Sequence, residues 1–216
     1  MNKNSRHSKL EQLEKFGWHE FWDLCQEIGI LNQQADIYEI ITKKYAAEDR
    51  CYHTIKHVLN CLHLLEKVKD QVEDVPAVKL ALWFHDIEKT EAASARTMRD
   101  VIKGRLLVSI EIEEVAKLIM DTVHPSNPQT NDGKIISDID LFGLAATYGQ
   151  FHATGQLVRQ EFPQLTDKEF YRGRLDFFSK ILAEQIFKHD CFKQFETKAR
   201  ANLEKESAAI RELLGS

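Results

Sequence analysis

The chain has 216 residues, of which 43% are hydrophobic and 29% are charged, and it contains only 9 glycines and 4 prolines. This is the composition of an ordinary globular protein, and it argues against a collagenous or disordered chain and against a many-stranded β-sandwich. The formal net charge of −5 argues against a protein that coats nucleic acid, because such proteins need a basic excess to neutralise phosphates. No segment approaches the about 18 apolar residues of a membrane span.

The cysteines and the first residues of the chain bear on its location. Cys25, Cys51, Cys61 and Cys191 form no CxxC pair and no close zinc-type spacing, so free thiols in a reducing compartment are the simplest interpretation. The first residues, MNKNSRHSKLEQ, lack the apolar run of a secretory signal. We therefore expect a cytoplasmic protein that is not bound to a membrane.

Apolar residues recur at spacings of three and four along most of the first half, which predicts amphipathic helices. The first four helices are predicted from about Leu13 to a stop at Gly29, from Gln33 to Tyr45, from near His53 through Val68, and from Pro76 to Phe84. The fourth is apolar almost all round and should therefore be buried at the centre of the fold. Pro76 suits its first turn, where a missing N–H costs nothing.

The second half continues the helical pattern. The predicted elements are helices from about Ala92 to Lys103 and from about Ser109 to Val123, a Pro/Asn-rich loop over 124–134, a helix from about Asp138 to Gln164 with a break near Gly149, a helix from a Thr166/Glu169 capping box to about Phe187, and a helix from about Phe192 to Leu214. No repeat and no long linker interrupts the chain. We therefore predict one all-α domain, a compact helical bundle spanning residues 1–216.

The His85-Asp86 pair ends the most apolar helix, where water is scarce. A buried carboxylate is costly unless it is paired or binds a metal, and adjacent helical residues can both reach one ion beyond the helix end. The dipeptide alone is a weak signal, because His189-Asp190 repeats it in a polar context. That second copy is an internal control.

Three further positions have a functional and a structural interpretation. His53 and His57 are four apart, a spacing that places two metal ligands on one helical face, although one could equally pack in the core and the other face solvent. Asp138 would cap the helix that it begins, which leaves Asp140 as the candidate ligand, and both could instead serve the helix dipole. His124 could act in the site or stabilise the end of a helix.

Taken in order along the chain, the motifs resemble the HD superfamily of metal-dependent phosphohydrolases, and within it a bacterial family of small predicted phosphohydrolases. The resemblance covers residues 22–206. It is carried by Trp22, Ile28-Gly29, Tyr45, Arg50-x-Tyr52-His53-x-x-x-His57, Ala81-Leu82-Trp83-Phe84-His85-Asp86, Glu91-x-x-Ser94-Ala95, Thr122-x-His124, Asp138-x-Asp140-Leu141, Arg159-x-Glu161, Gly173-Arg174, Ile186-Phe187 and Ala199-Arg200-x-Asn202-Leu203. The chain departs from the family after Asp86, where residues 87–90 form a short bridge instead of a longer loop, so the size of the substrate is open.

The resemblance implies one divalent metal held by His57, His85, Asp86 and Asp140. Imidazole and carboxylate ligands suit Mn, Fe, Co, Ni, Zn or Mg. Arg50, Lys56, Arg159 and Arg174 are the candidate phosphate contacts, and His53, Asp86 and His124 are the candidate catalytic groups. In binuclear HD proteins additional histidines hold a second metal, and here His53 and His124 are available for that role.

The function that this resemblance implies is hydrolysis of a small phosphate ester, above all a nucleotide, by a metal-activated water. One alternative is a non-catalytic regulatory HD module that binds metal or nucleotide. A second alternative is a di-metal oxygenase, which would need at least six ligands and would have to recruit His53, His124 and Glu91.

Overall fold

A computed structural model describes residues 16–105 and 111–215 of the chain. These described residues are helical and contain no β-strand, which confirms the all-α prediction. Their α-helices are α1 (residues 16–27), α2 (Gln34–Tyr45), α3 (Ile55–Val68), α4 (Val75–Phe84), α5 (Glu91–Ile102), α6 (Ile112–Met120), α7 (Asn131–Leu141), α8 (Tyr148–Gln160), α9 (Asp167–Leu182) and α10 (Glu196–Leu214). Short 3-10 helices occupy Lys69–Gln71, Phe142–Ala145 and Asp190–Phe195. The predicted helix starts at Leu13 and Ser109 lie outside the described residues.

The described chain forms two compact units. The first contains the residues up to Glu48 and His53–Met120, and the second contains Asp49–Tyr52 and the residues from Asp121 onward. The expectation of a single domain stays a prediction. None of the helices within 16–105 and 111–215 is both long and apolar enough to cross a membrane.

Helix α4 is the core of the first unit, as its composition predicts. Seven of its residues are buried, and the helix packs against α3, α5 and α6. Pro76 lies in its first turn, and the Asp74 carboxylate caps the turn by accepting from the Ala77 N–H at 2.9 Å. The Trp83 ring meets the Phe21 ring edge-on at 5.2 Å. This packing fixes the end of α4, and with it the position of His85.

The second unit is held by side chains that bind backbone groups far away in sequence. Asn202 of α10 donates to the carbonyls of Leu144 and Ala146 at 2.7 and 2.9 Å. The buried Glu161 carboxylate accepts from the N–H groups of Cys51 and Tyr52, both at 2.7 Å. Asn202 and Glu161, which belong to the motifs quoted above, therefore have structural roles in the second unit.

The structure corrects three predicted helix boundaries. The predicted loop 124–134 is wrong at its end, because α7 begins at Asn131, where Thr130 caps it by accepting from the Gly133 N–H at 3.0 Å. The predicted helix from Asp138 to Gln164 is interrupted over 142–147, and α8 restarts at a Thr147/Gln150 capping box. The Thr166/Glu169 capping box is confirmed, but α9 ends at Leu182, before the predicted Phe187.

Candidate metal centre

Two buried histidines of the first unit converge at the end of α4. His57 lies in the first turn of α3 and is 6% exposed, and His85 directly follows α4 and is 1% exposed. Their Nε2 atoms are 3.2 Å apart. Two imidazole nitrogens this close, in a site with little water, either share a proton or flank a cation.

The protonated nitrogen of His85 is assigned by its hydrogen bond. Nδ1 lies 2.9 Å from the Leu82 carbonyl oxygen, and a carbonyl can only accept, so Nδ1 carries the hydrogen. In the neutral ring this leaves the Nε2 lone pair directed at His57. Such a backbone hydrogen bond orients metal-binding histidines and raises their basicity.

Asp86 brings a carboxylate to the same two nitrogens. Its Oδ2 is 3.2 Å from His85 Nε2 and 3.5 Å from His57 Nε2, and its side chain is 22% exposed. His85 and Asp86 are therefore close together just beyond the end of α4, and their role as ligands of one ion stays a prediction. The partial exposure of Asp86 leaves one side of the group open to solvent.

Cys61 joins this group, although it belongs to none of the motifs that mark candidate ligands in the sequence. It lies one helical turn after His57 on the buried face of α3, and its Sγ is 3.6 Å from His57 Nε2. His57, Cys61 and His85 each offer one ligand atom, and these atoms lie within 4.8 Å of one another. The four-residue spacing between His57 and Cys61 could have identified Cys61 from the sequence. The spacing is a weak indication, because a cysteine on the buried face of a helix is ordinarily a core residue.

The donor set and its spacing fit a divalent transition metal. Metal–nitrogen bonds of about 2.0–2.1 Å in a tetrahedron place neighbouring nitrogens about 3.4 Å apart, and a sulfur at about 2.3 Å lies about 3.6 Å from each nitrogen. The observed separations are 3.2 Å between the two Nε2 atoms and 3.6 Å between Cys61 Sγ and His57 Nε2, and the ligand atoms of all three residues lie within 4.8 Å of one another. This buried group of the first unit could hold a metal ion.

His53 occupies a different position from the one its spacing predicts. Helix α3 begins at Ile55, so His53 precedes the helix and does not share a helical face with His57. Its ring nevertheless meets the His57 ring edge-on, with centroids 6.0 Å apart. Its catalytic role stays a prediction.

The two aspartates of the second unit have distinct surroundings. The N-cap role predicted for Asp138 is wrong, because this residue lies late in α7 and is fully buried, where its carboxylate accepts from the N–H groups of Lys188 and His189 at 2.8 and 2.7 Å. Burial raises the pKa of Asp138 to about 6, and these two hydrogen bonds oppose the shift. Asp140 is half-buried, and its Oδ2 lies 3.0 Å from His124 Nε2. The assignments of Asp140 as a ligand and of His124 as a catalytic group stay predictions.

Glu88 and Glu91, which follow Asp86, have local positions that the structure of the first unit explains. Glu88 accepts from Lys44 Nζ at 2.8 Å and from Thr97 Oγ1 at 2.9 Å, and its own N–H donates to the buried Ser94. Glu91 is the first residue of α5, a position where an acidic side chain favours the helix dipole. These contacts hold the short bridge after Asp86 in place within the first unit.

The candidate phosphate contacts differ in how many hydrogen bonds their side chains donate within the protein. Arg159 donates to Asp167 and to the carbonyls of Phe162 and Leu165 at 2.8 to 2.9 Å. Lys56 is exposed on α3 and Arg50 is half-buried. The local structure thus gives Arg159 a structural task, while its phosphate role and those of Lys56 and Arg50 stay predictions.

Arg174 is the candidate with one buried guanidinium nitrogen that has no hydrogen bond. Its Nε is buried without a hydrogen bond, and the group lies over the Phe178 ring, 4.8 Å from the centroid. Gly155 makes room for it, since a Cβ at that position would lie 3.0 Å from Nη2. Burial lowers the pKa of Arg174, against the attraction of Glu206. An arginine in this state is suited to an anion.

Comparisons of the chain with protein-family models, with curated proteins and with solved structures found no significant match. The resemblance to the HD superfamily therefore rests on the motifs of the sequence.

Proposed function

We propose that the protein is a metal-dependent phosphohydrolase that cleaves a small phosphate ester, with nucleotides as the first substrate class to test. The observation that carries the proposal is the convergence of His57, His85 and Asp86 at the buried end of α4, with nitrogens 3.2 Å apart. The order of these residues in the chain is the order of the HD motif, which connects the geometry to this reaction class.

The first unit would supply the ligands. His57 and His85 would hold the cation, and the Leu82 carbonyl keeps the His85 ring oriented. Asp86 contributes the negative charge, which the two neutral imidazoles lack. A divalent cation bound there would lower the pKa of its water toward neutrality and draw charge from a phosphoryl oxygen.

The remaining steps fall to side chains outside the ligand set. His53 is the candidate of the first unit for protonating the leaving oxygen, because an imidazole can donate a proton near neutral pH. Its ring contact with His57 keeps it beside the ligand group. Replacing His53 with glutamine should therefore lower kcat while metal is retained.

The first experiment measures metal per chain by elemental analysis in the wild-type protein and in His85→Ala. We expect about one divalent ion in the wild type and loss of metal from the variant. His189→Ala is the matched control, because it alters the other His-Asp pair, where His189 Nδ1 accepts from the Cys191 N–H at 3.3 Å and lies 3.0 Å from Cys191 Sγ. The control should retain metal.

A phosphatase screen with nucleotides and the identified metal then tests the reaction. Phosphate release that disappears with His85→Ala supports the proposal. Metal at wild-type level in His85→Ala would falsify the site assignment. Stoichiometric metal without release of phosphate from any ester would instead favour the regulatory module, and iron-dependent consumption of O₂ would favour the oxygenase.

A further inference from the structure

We propose that the Cys61 thiolate is a ligand of the metal in this site and that the site consequently selects a thiophilic divalent ion, such as Zn²⁺ or Co²⁺, over Mg²⁺. This inference rests on the proposed function, since it concerns the same metal. It adds one ligand and a metal class to the set that the HD motif implies.

The geometry of α3 supports this role. His57 and Cys61 are separated by one helical turn, which places both side chains on the same face. Sγ lies 3.6 Å from His57 Nε2 and 3.9 Å from Nδ1. Sγ therefore lies beside the His57 ring in this structure. The ligand atoms of His57, Cys61 and His85 lie within 4.8 Å of one another, so rotation of these side chains would bring the sulfur and the two nitrogens around one ion.

Burial by itself does not produce this arrangement. A buried cysteine ordinarily behaves as a small apolar side chain, and Cys25 of the same unit shows that case. Cys25 is fully buried, and burial raises the pKa of its thiol to about 12. Cys61 is similarly buried, at 3% exposure, but its sulfur lies beside the His57 ring and within 4.8 Å of the ligand nitrogens of His57 and His85.

Ligand chemistry then determines the class of metal. On binding, the Cys61 S–H bond breaks, its proton leaves to solvent, and the sulfur lone pair forms the bond to the ion, so no oxidant or reductant is needed. Thiolate and imidazole ligands suit Zn²⁺ and Co²⁺, whereas Mg²⁺ prefers oxygen ligands and retains its water. A site with two imidazoles and a thiolate should therefore discriminate strongly against Mg²⁺.

The test is a titration of the metal-depleted full-length protein with Co²⁺, followed by absorption spectroscopy. A cobalt–thiolate bond gives an intense charge-transfer band in the near ultraviolet, and four-coordinate cobalt gives visible d–d bands. We expect both in the wild type and in Cys25→Ala. In Cys61→Ser and Cys61→Ala we expect no charge-transfer band and a Zn²⁺ affinity at least about tenfold weaker. Circular dichroism verifies that each variant is helical.

The outcomes separate this inference from the proposed function. Loss of the charge-transfer band in both Cys61 variants, with Cys25→Ala unchanged, supports the thiolate ligand. Visible cobalt bands in the wild type without a charge-transfer band would overturn it and leave the metal centre standing. If wild-type protein bound Mn²⁺ or Mg²⁺ but neither Co²⁺ nor Zn²⁺, the thiolate inference would be overturned and the proposed function would stand, whereas a protein that bound no divalent ion would refute both. The absence of the band in the wild type overturns the inference without any variant, and the two Cys61 variants assign the band where it is present.

Discussion

Glu161→Ala removes a carboxylate that binds two backbone groups more than one hundred positions earlier in the chain. One oxygen, Oε1, accepts from the N–H groups of Cys51 and Tyr52, each at 2.7 Å, and the residue is 8% exposed. Each donor left without an acceptor in partly buried surroundings costs about 1–3 kcal/mol. Since water can reach part of this segment, we expect the free energy of unfolding to fall by about 2–4 kcal/mol.

Glu161→Gln is the matched variant, because the amide oxygen can occupy the same position without the charge. Hydrogen bonds to a charged acceptor are about twice as strong as those to a neutral one, so the glutamine variant should lose about half as much stability as the alanine variant. Urea unfolding followed by circular dichroism at 222 nm measures both, and the shift in midpoint gives the difference.

Two results would refute this reasoning. A loss below about 0.5 kcal/mol in Glu161→Ala would place it among ordinary surface substitutions and would mean that the two N–H groups exchange the carboxylate for water without cost. Equal losses in the alanine and glutamine variants would show that the oxygen position is irrelevant and that packing accounts for the effect.

Two further predictions concern the second unit. Asp138→Ala should lower the free energy of unfolding by about 2–4 kcal/mol, because the two N–H groups of Lys188 and His189 lose their acceptor, and thermal unfolding would show an unchanged Tm if that reasoning is wrong. Arg174→Ala should raise KM for a phosphorylated substrate several-fold with little loss of stability, whereas Arg159→Ala, which loses three hydrogen-bonded partners, should mainly lower Tm. The opposite pattern in steady-state kinetics and melting curves would reverse the roles assigned to the two arginines.

The helical pattern of the first unit followed directly from the sequence. Val78, Leu80 and Leu82 are apolar on more than one face of one short helix, and a helix of that kind is stable only when it is surrounded by other elements. The same pattern placed the His85-Asp86 pair at the end of a buried helix. Thr166 and Glu169 marked a helix start correctly, because a capping box is formed by side chains that are close in sequence.

The sequence-based predictions were wrong in two situations. In one, the hydrogen-bond partners of a residue are distant in sequence, and in the other, a residue type is equally common in a loop and in the first turn of a helix. Asn131 and Asp132 belong to the first turn of α7, where short polar residues are as favourable as they are in a loop. Asp138 accepts from residues 50 and 51 positions away, and no local pattern reports that pairing. Its role as an acceptor for the 188–189 backbone could therefore be found only in the folded unit.

The sequence by itself determined the all-α class, the buried α4 and the positions of His57, His85 and Asp86 as candidate ligands, because each depends on periodicity and motif order. Tertiary structure decided that Cys61 is close to two imidazole nitrogens, that Arg159 is already engaged and that the Arg174 Nε is buried without a hydrogen bond. The physical reason is the range of the interactions. Helix formation and capping act over three or four residues, whereas ligand geometry and the availability of a donor depend on groups that only folding brings together.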